Sequence, residues 1–344
     1  MAGDGYRVGV LGATGLVGST ILELLAKRDF PVAELVPFAS ERSTGRELEW
    51  NGSALACREL SEESIQGLDL VLSSAGGAVS AEWAPRLVAA GATVVDNTSY
   101  WRMHDEVPLV VAEVNPDALE GHEGIVANPN CSTMQMVVAL KPLFDEAGIE
   151  RLVVSTYQAV SGTGKAAIDE LLEQSRAVLD GQEPVAGVYP HPIAFSALPQ
   201  AGNFPEGDDH TDEERKLINE TRKILGDEEI RISATCVRVP VVTGHSEAVN
   251  VETREELSPE RARELLAAAP GVSVVDEPAA ARYPLATDAA GRDDVFVGRI
   301  RRDPGNERAL DMWIVSDNLR KGAATNAVQV AELLVERGLL GSRD

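Results

Sequence analysis

Residues 6–19, YRVGVLGATGLVGS, decide how the rest of the chain is read. Tyr6–Leu11 is an apolar strand candidate, and Leu16–Lys27 repeats its apolar residues at helical spacing. Between them Gly12, Gly15 and Gly18 form a G-x-x-G-x-x-G pattern. Glycines at a strand-to-helix turn let the backbone approach a pyrophosphate, which then rests on the helix N-terminus. The same glycines would serve a tight turn in an α/β protein that binds no dinucleotide. The strand–turn–helix context favours the dinucleotide.

Outward from this turn, short apolar runs at 35–39, 68–73, 93–96 and 109–112 alternate with helical stretches such as 80–90. Strands alternating with helices predict a parallel sheet covered on both faces. A different pattern begins near Arg151. RLVVSTYQAVSG reads as a longer strand and AAIDELLEQSRAVL as an amphipathic helix. IRISATCVRVPVV, SEAVNVET, DVFVGRIRR and ALDMWIVSD follow as further strands. Long strands with few helices between them predict a mixed or antiparallel sheet, hence a second α/β domain. A last helix, 318–337, is expected to return to the first domain. The polar loop GNFPEGDDHTD at 202–212 is expected to be mobile.

The 344 residues suffice for two domains, and no uncharged apolar run is long enough to span a membrane. The N-terminus leads straight into a strand, which points to the cytoplasm. Lys and Arg number 31 against 55 Asp and Glu, a net charge of −24 that argues against nucleic acid and anionic membranes as partners. Three unpaired cysteines and no H-E-x-x-H leave a disulfide framework and a zinc site without support; no metal is expected.

At the end of the second strand FASERSTGR offers Ser40, Arg42 and Ser43. A guanidinium and hydroxyls suit a ribose 2′-phosphate, so NADP is favoured. Glu41 stands among them; if its side chain faces the ribose, NAD returns. NPNCST at 128–133 places Cys131 at a helix start, which Asn128 or Asn130 can cap. There the helix dipole favours the thiolate, so Cys131 reads as a nucleophile, against the bland alternative of a small buried residue. Cys57 and Cys236 are left as buried residues. Of five histidines, His104, His122 and His210 lie in polar loops, and His191 sits between prolines. His245 follows the strand ending in VPVVTG and is the candidate acid–base partner. SGTGK at 161–165 is not a phosphate loop, because Ala159 and Ala166 stand where Gly and Ser or Thr belong.

GATGLVG, SERS, NPNCST, STYQAVSGTG, EERKLINET, CVRVPVVTGH and DNLRKGAATNAVQ, in this order, resemble the aspartate-β-semialdehyde dehydrogenase family over nearly the whole chain. The resemblance implies a Rossmann-type NADP-binding domain at 1–130, a catalytic and dimerising α+β domain at 131–317, and a C-terminal helix at 318–344 packing back on the first domain. It implies a homodimer or homotetramer that reduces L-aspartyl-4-phosphate to the semialdehyde, feeding lysine, threonine and methionine synthesis. It casts Cys131 as nucleophile, His245 as acid–base catalyst, Gln158 as the residue orienting the substrate, and Asn130 as the nucleophile's neighbour. Arg238, placed before His245 on the same strand, would hold the α-carboxylate, and Glu213 the amine, with Glu214 beside it leaving that acid open. Arg102 and Lys216 would hold phosphate. Cofactor contacts are implied for Gly12, Ala13, Thr14, Gly15, Val17, Ser40, Arg42, Ser43, Ser73, Gly76, Ser161, Gly162 and Asn318. The alternatives are a reductase of N-acetylglutamyl phosphate or a malonyl thioester, which lack a free α-amine, and a catalytically silent binding subunit.

Overall fold

The computed structural model describes residues 5–340. It divides into two compact units, Met1–Asn130 with Ala323–Asp344, and Cys131–Gly322.

The first unit opens with β1 (Tyr6–Leu11), α1 (Leu16–Lys27) and β2 (Val32–Phe38). A small hairpin follows, β3 (Glu47–Trp50) and β4 (Ser53–Ala56), then β5 (Leu70–Ser73), α2 (Gly77–Ala89), β6 (Thr93–Asp96) and β7 (Ile125–Ala127). The main strands form a parallel five-stranded sheet in the order β2-β1-β5-β6-β7. Every residue of β5 and β6 is buried, because helices cover both faces of such a sheet and no alternation is needed. The order reverses between β1 and β5, which opens a crevice at the carboxyl ends of these two strands.

The run 109–112 is not a strand. Leu109 makes one parallel bridge to Ala127. The Asn115 side chain then takes the groups a ladder would need, accepting from Val111 N–H at 2.9 Å and donating to Leu109 O at 2.9 Å.

The second unit begins with α3 (Cys131–Ala147) and continues through β8 (Ile149–Gln158), α4 (Lys165–Leu179), α5 (Asp212–Leu225), β9 (Arg231–Arg238) and β10 (His245–Thr253). It ends with α6 (Pro259–Ala268), β11 (Val272–Val274), α7 (Ala286–Ala289), β12 (Val295–Asp303) and β13 (Asn306–Ser316). These strands make a mixed six-stranded sheet in the order β11-β12-β13-β10-β8-β9. On β8 the burial alternates, so one face carries Leu152, Val154 and Thr156 inward while Val153, Ser155 and Tyr157 look outward. Helix α3 packs on the inward side against β8, β10, β12 and β13. On the outward face Tyr157 and Trp313 approach with ring centroids 5.2 Å apart.

The stretch 230–242 is shorter as a strand than its apolar run suggests. It stops at Arg238 because Pro240 has no N–H to extend the ladder. Val241 and Val242 carbonyls instead accept from Val160 and Ser161 N–H, at 2.9 and 3.1 Å. Arg238 and His245 therefore lie on different strands, with β8 between them, and not on one strand as expected. The loop at 202–212 is largely exposed, yet its end is pinned. Asp208 pairs with Arg215 at 2.6 Å, and Asp212 accepts from Asn203 N–H at 2.8 Å.

The chain returns to the first unit through a π turn at Arg320–Ala324, followed by α8 (Thr325–Glu336). The helix thus starts later than 318, since Asp317 Oδ1 folds back on the N–H groups of Leu319 and Arg320. Val328, Ala331 and Leu334 of α8 join Ile21, Leu25, Val8 and Leu70 in one core.

Candidate functional site

In the first unit the glycine turn is sterically required. Gly12 has φ +73°, and a Cβ there would lie 2.8 Å from the Ser74 carbonyl oxygen. A Cβ at Gly18 would collide with the Gly12 carbonyl oxygen, so the helix packs against the turn only without it. Gly15 is the N-cap of α1 and Gly76 the N-cap of α2, neither with a side-chain cap bond. Both helix starts therefore present backbone N–H groups at the carboxyl ends of paired strands, where Leu11 stands beside Ser73. The Ser73 hydroxyl is buried there without a partner among the described residues. Ala13, Thr14 and Val17 complete the turn and first coil of α1. At the end of β2, Ser40 precedes a 3₁₀ turn, Glu41–Ser43, in which Glu41 and Arg42 are both exposed. This arrangement fits a dinucleotide: a glycine backbone without side chains at the turn, helix N-termini to receive a pyrophosphate, and a cation at the next strand end.

Arg102 is buried in the same unit, its Nε donating to Asn128 O at 3.0 Å and Nη2 to Asn97 O at 2.8 Å. The Asn128 side chain is committed to Asn97, Ala323 and Asn326. Of the two cap candidates, that leaves Asn130, the residue directly before α3.

The second unit gathers the remaining residues. Cys131 opens α3 and is partly exposed, unlike Cys57 and Cys236. Burial pushes both of those thiols upward, Cys236 the further. Gly322 lies against the nucleophile candidate: a Cβ there would stand 2.9 Å from Cys131 Cβ and 3.6 Å from Asn318 Cβ. Asn318 Oδ1 accepts from Gly244 N–H at 2.9 Å, and its Nδ2 donates to Ser161 Oγ at 2.9 Å. So the DNLRKG segment ties the start of α3 to the residue before His245.

His245, the first residue of β10, is wholly buried. Its Nδ1 accepts from Ala159 N–H at 3.0 Å. A backbone N–H is always a donor, so Nδ1 carries a lone pair and the neutral ring holds its proton on Nε2. Burial, with the Arg238 cation adding to it and Glu213 opposing, pushes the imidazole down to about 3. Ala159 also holds Arg238, accepting from Nη1 at 2.7 Å through its carbonyl. One residue thus orients both side chains. A Cβ at Gly162 would sit 3.3 Å from His245 Nε2 and 3.4 Å from Arg238 Nη1, so glycine keeps the space beside them open. Arg238 Nε and His245 Nε2 are buried with no partner among the described residues.

Gln158, one residue before Ala159, donates to Glu213 Oε1 at 2.9 Å. Glu214 is already occupied: Oε2 closes a capping box with Thr211, and Oε1 accepts from Cys236 N–H at 3.0 Å. Of the two acids, Glu213 is the one beside Gln158. Lys216 Nζ lies 3.3 Å from Glu213 Oε2 and 3.0 Å from Asp212 Oδ2. Burial presses its ammonium down, but the two carboxylates outweigh burial and the net shift is upward. Sequence reasoning missed Asp212, Ala159 and Gly322. Only Gly322 had a local signal, a glycine inside an otherwise helical pattern.

His191 is exposed, while His104, His122 and His210 are half-buried at the surface. Lys165 of the SGTGK look-alike is exposed and paired with Asp169 at 2.8 Å.

The NAD binding domain model of semialdehyde dehydrogenases matches residues 7–122, and the semialdehyde dehydrogenase dimerisation domain model matches 140–321. The aspartate-semialdehyde dehydrogenase of Aquifex aeolicus is 56% identical over 340 residues, 98% of this chain and 100% of its own. The crystal structure of aspartate semialdehyde dehydrogenase II from Vibrio cholerae, complexed with ASA, superposes with a TM-score of 0.94 at 46% identity, covering 97% of this chain and 99% of that one. That of the Candida albicans enzyme with NADP gives 0.75 at 26% identity, covering 98% and 100%. Similarity of this extent, over both units, makes the chain a member of the aspartate-semialdehyde dehydrogenase family.

Proposed function

We propose that the chain reduces L-aspartyl-4-phosphate to L-aspartate 4-semialdehyde, reversibly, with NADPH, in the cytoplasm. The observation that carries this reading is the double use of Ala159, which sets the proton-bearing edge of His245 beside the guanidinium of Arg238. An acid–base group next to a carboxylate grip suits a short acyl substrate with a charged tail.

Cys131 thiolate attacks the acyl carbon of the substrate, a C–S bond forms, and the C–O bond to phosphate breaks. The product is a thioester on Cys131, which keeps the acyl group activated. Bound NADPH supplies the hydride for its reduction. His245 Nε2–H meets the substrate oxygen: its proton stabilises the negative charge that grows there, and in the oxidative direction the same N–H stabilises the oxyanion formed when the Cys131 thiolate adds to the aldehyde. The C–S bond then breaks, returning the Cys131 thiolate and releasing the aldehyde. Arg238 pairs with the α-carboxylate, Glu213 receives the α-amine while Gln158 fixes its orientation, and Arg102 and Lys216 hold the phosphate. The glycines of the α1 turn, with Ala13, Thr14, Val17, Ser73 and Gly76, carry the cofactor's pyrophosphate end. Ser40, Arg42 and Ser43 would meet its 2′-phosphate, and Ser161 and Gly162 would serve the nicotinamide. Asn318 serves that end by fixing Ser161. The dimerisation-domain match and the open sheet face around Tyr157 and Trp313 support a homodimer or homotetramer.

The test is NADP reduction with L-aspartate semialdehyde, with and without phosphate. The expected result is turnover that requires phosphate and strongly prefers NADP over NAD. Turnover with N-acetylglutamate semialdehyde but not with aspartate semialdehyde would overturn the substrate assignment.

A further inference from the structure

Beneath the inner face of the second unit's sheet lies an acid that the reaction above does not use. Glu247 follows His245 by two residues on β10, so both side chains point to the same face. Glu247 is wholly buried, and among the described residues neither carboxyl oxygen has a hydrogen-bond partner of good geometry. An ionised carboxylate in that position would have lost its hydration and gained no charged donor in return.

The group beside it is Gln135. Gln135 lies four residues after Cys131 on α3, hence on the same side of the helix one turn further in. Its amide carbonyl is taken: Ser316 Oγ donates to Oε1 at 2.7 Å, and Ser316 stands opposite His245 in the β10–β13 ladder. What remains is the Nε2 amide, buried and without a partner of good geometry, next to the Glu247 carboxyl. A neutral carboxyl has a carbonyl oxygen to accept from this amide and a hydroxyl of its own to donate. Burial pushes the Glu247 carboxyl well above the ordinary carboxylate range, with the Gln135 amide opposing it more weakly, which agrees with the neutral form.

We propose that Glu247, held as a neutral acid, and Gln135 form a positioning pair that fixes the start of α3, and so Cys131, in register with the start of β10, and so His245. The catalytic part of this inference rests on the reaction assigned above; the neutral acid does not. Gln135 bridges the two ends of the register, with Ser316 beside His245 on one side and Glu247 on the other. Neither residue touches substrate; both act through the separation of nucleophile and imidazole, to which covalent catalysis is sensitive.

The experiment compares Glu247→Gln, Glu247→Leu and Gln135→Leu with the unmodified full-length enzyme. Infrared spectroscopy at neutral pH should show the carbonyl stretch of a protonated carboxyl, and Glu247→Gln should remove it. Glu247→Leu and Gln135→Leu should each lower kcat by roughly tenfold or more, with KM for aspartate semialdehyde changing less and folding retained. They should also change the rate at which iodoacetamide alkylates Cys131. Glu247→Gln, which keeps a neutral carbonyl and a donor in place, should recover most of the loss seen with Glu247→Leu. Absence of the infrared band would overturn the neutral acid, as would a Glu247→Gln variant as damaged as Glu247→Leu. Normal kcat and alkylation rate in both leucine variants would overturn the positioning role. If Glu247→Leu fails to fold, Gln135→Leu and the infrared band still decide. The band and the alkylation rate need no turnover, so they separate failure of this inference from failure of the reaction assignment.

Discussion

Arg102 apart, the two units hold their proposed functional groups in opposite ways. In the first, the groups proposed to face a cofactor are mostly backbone N–H donors and the exposed side chains of the Ser40–Ser43 turn, and the constraint is steric: glycine where a Cβ would strike Ser74 or Gly12. In the second, His245, Arg238, Gln158 and Glu213 are all buried, and each is oriented by a named partner. A surface-built site tolerates loss of one contact with a modest change in affinity. A buried network loses its geometry when one member goes, because the others are left unsatisfied.

The largest expected effect tests the second unit at its proposed nucleophile. Cys131→Ala should reduce turnover to background, roughly 10⁴-fold or more, while cofactor binding to the first unit stays near normal. Residual activity of several per cent would remove Cys131 from the mechanism. Since Cys57 and Cys236 are buried with raised thiols, iodoacetamide should modify Cys131 alone in the folded protein, as peptide mapping would show.

His245→Asn should slow the chemical step by about 10²–10⁴-fold, acting on kcat more than KM. It also carries a stability signature. The folded imidazole titrates near 3 against 6.5 in the unfolded chain, so between these values the unfolded state binds a proton that the folded state refuses. Stability should therefore fall as pH drops through this window, by about 1.4 kcal/mol per pH unit from this residue. Urea unfolding at several pH values should show a shallower acid-side decline in the His245→Asn variant. An unchanged slope would mean that the ring is already charged in the folded state.

Next come the two proposed anion sites. Arg238→Lys cannot span Ala159 O and a carboxylate with a planar fork, and should lower kcat/KM for aspartate semialdehyde by about ten- to hundredfold, leaving KM for phosphate close to normal. Lys216→Ala should raise KM for phosphate by a similar factor. It should not be wholly clean, because Lys216 also pairs with Glu213 and Asp212, so a smaller rise in KM for the semialdehyde is expected. Equal rises in both KM values for both variants would mean that the anions share one site.

What could be read in the chain beforehand follows the range of the interaction involved. The glycine turn and the helix start at Cys131 are constrained by immediate neighbours, and both were legible in GATGLVG and NPNCST. The strand through VPVV was overextended because apolar residues at 239–242 resemble a ladder, whereas they leave it at Pro240 to support the turn at Val160–Thr163. The helix expected from 318 contains a π turn whose Gly322 is set by Cys131, nearly two hundred residues away. Ala159 was invisible for a related reason. Its importance lies in its peptide groups, and no side-chain pattern reports where a peptide bond points.

The smallest effect belongs to the first unit, and it decides the cofactor. Arg42 is exposed and makes no ion pair among the described residues, so its cation is available to an incoming anion. Its turn is held by backbone bonds that do not involve its side chain: Ser43 N–H to Ser40 O at 2.7 Å, and Gly45 N–H to Cys57 O at 2.9 Å. Arg42→Ala should therefore leave the loop standing and remove only the charge. Because the site is open to water, the loss sits at the low end for a charged hydrogen bond, about 1.5 kcal/mol or roughly tenfold in Kd for NADP. NAD affinity should hardly move. Glu41, exposed in the same turn, opposes Arg42 in sign. Glu41→Ala should improve NADP binding slightly and weaken NAD binding if the carboxylate reaches the ribose hydroxyl. Raising salt should shrink the Arg42 effect, since an exposed pair is screened. Equal loss for both cofactors in Arg42→Ala would mean that the guanidinium supports the turn and does not read the 2′-phosphate. The first unit would then depend on packed side chains after all, as the second does.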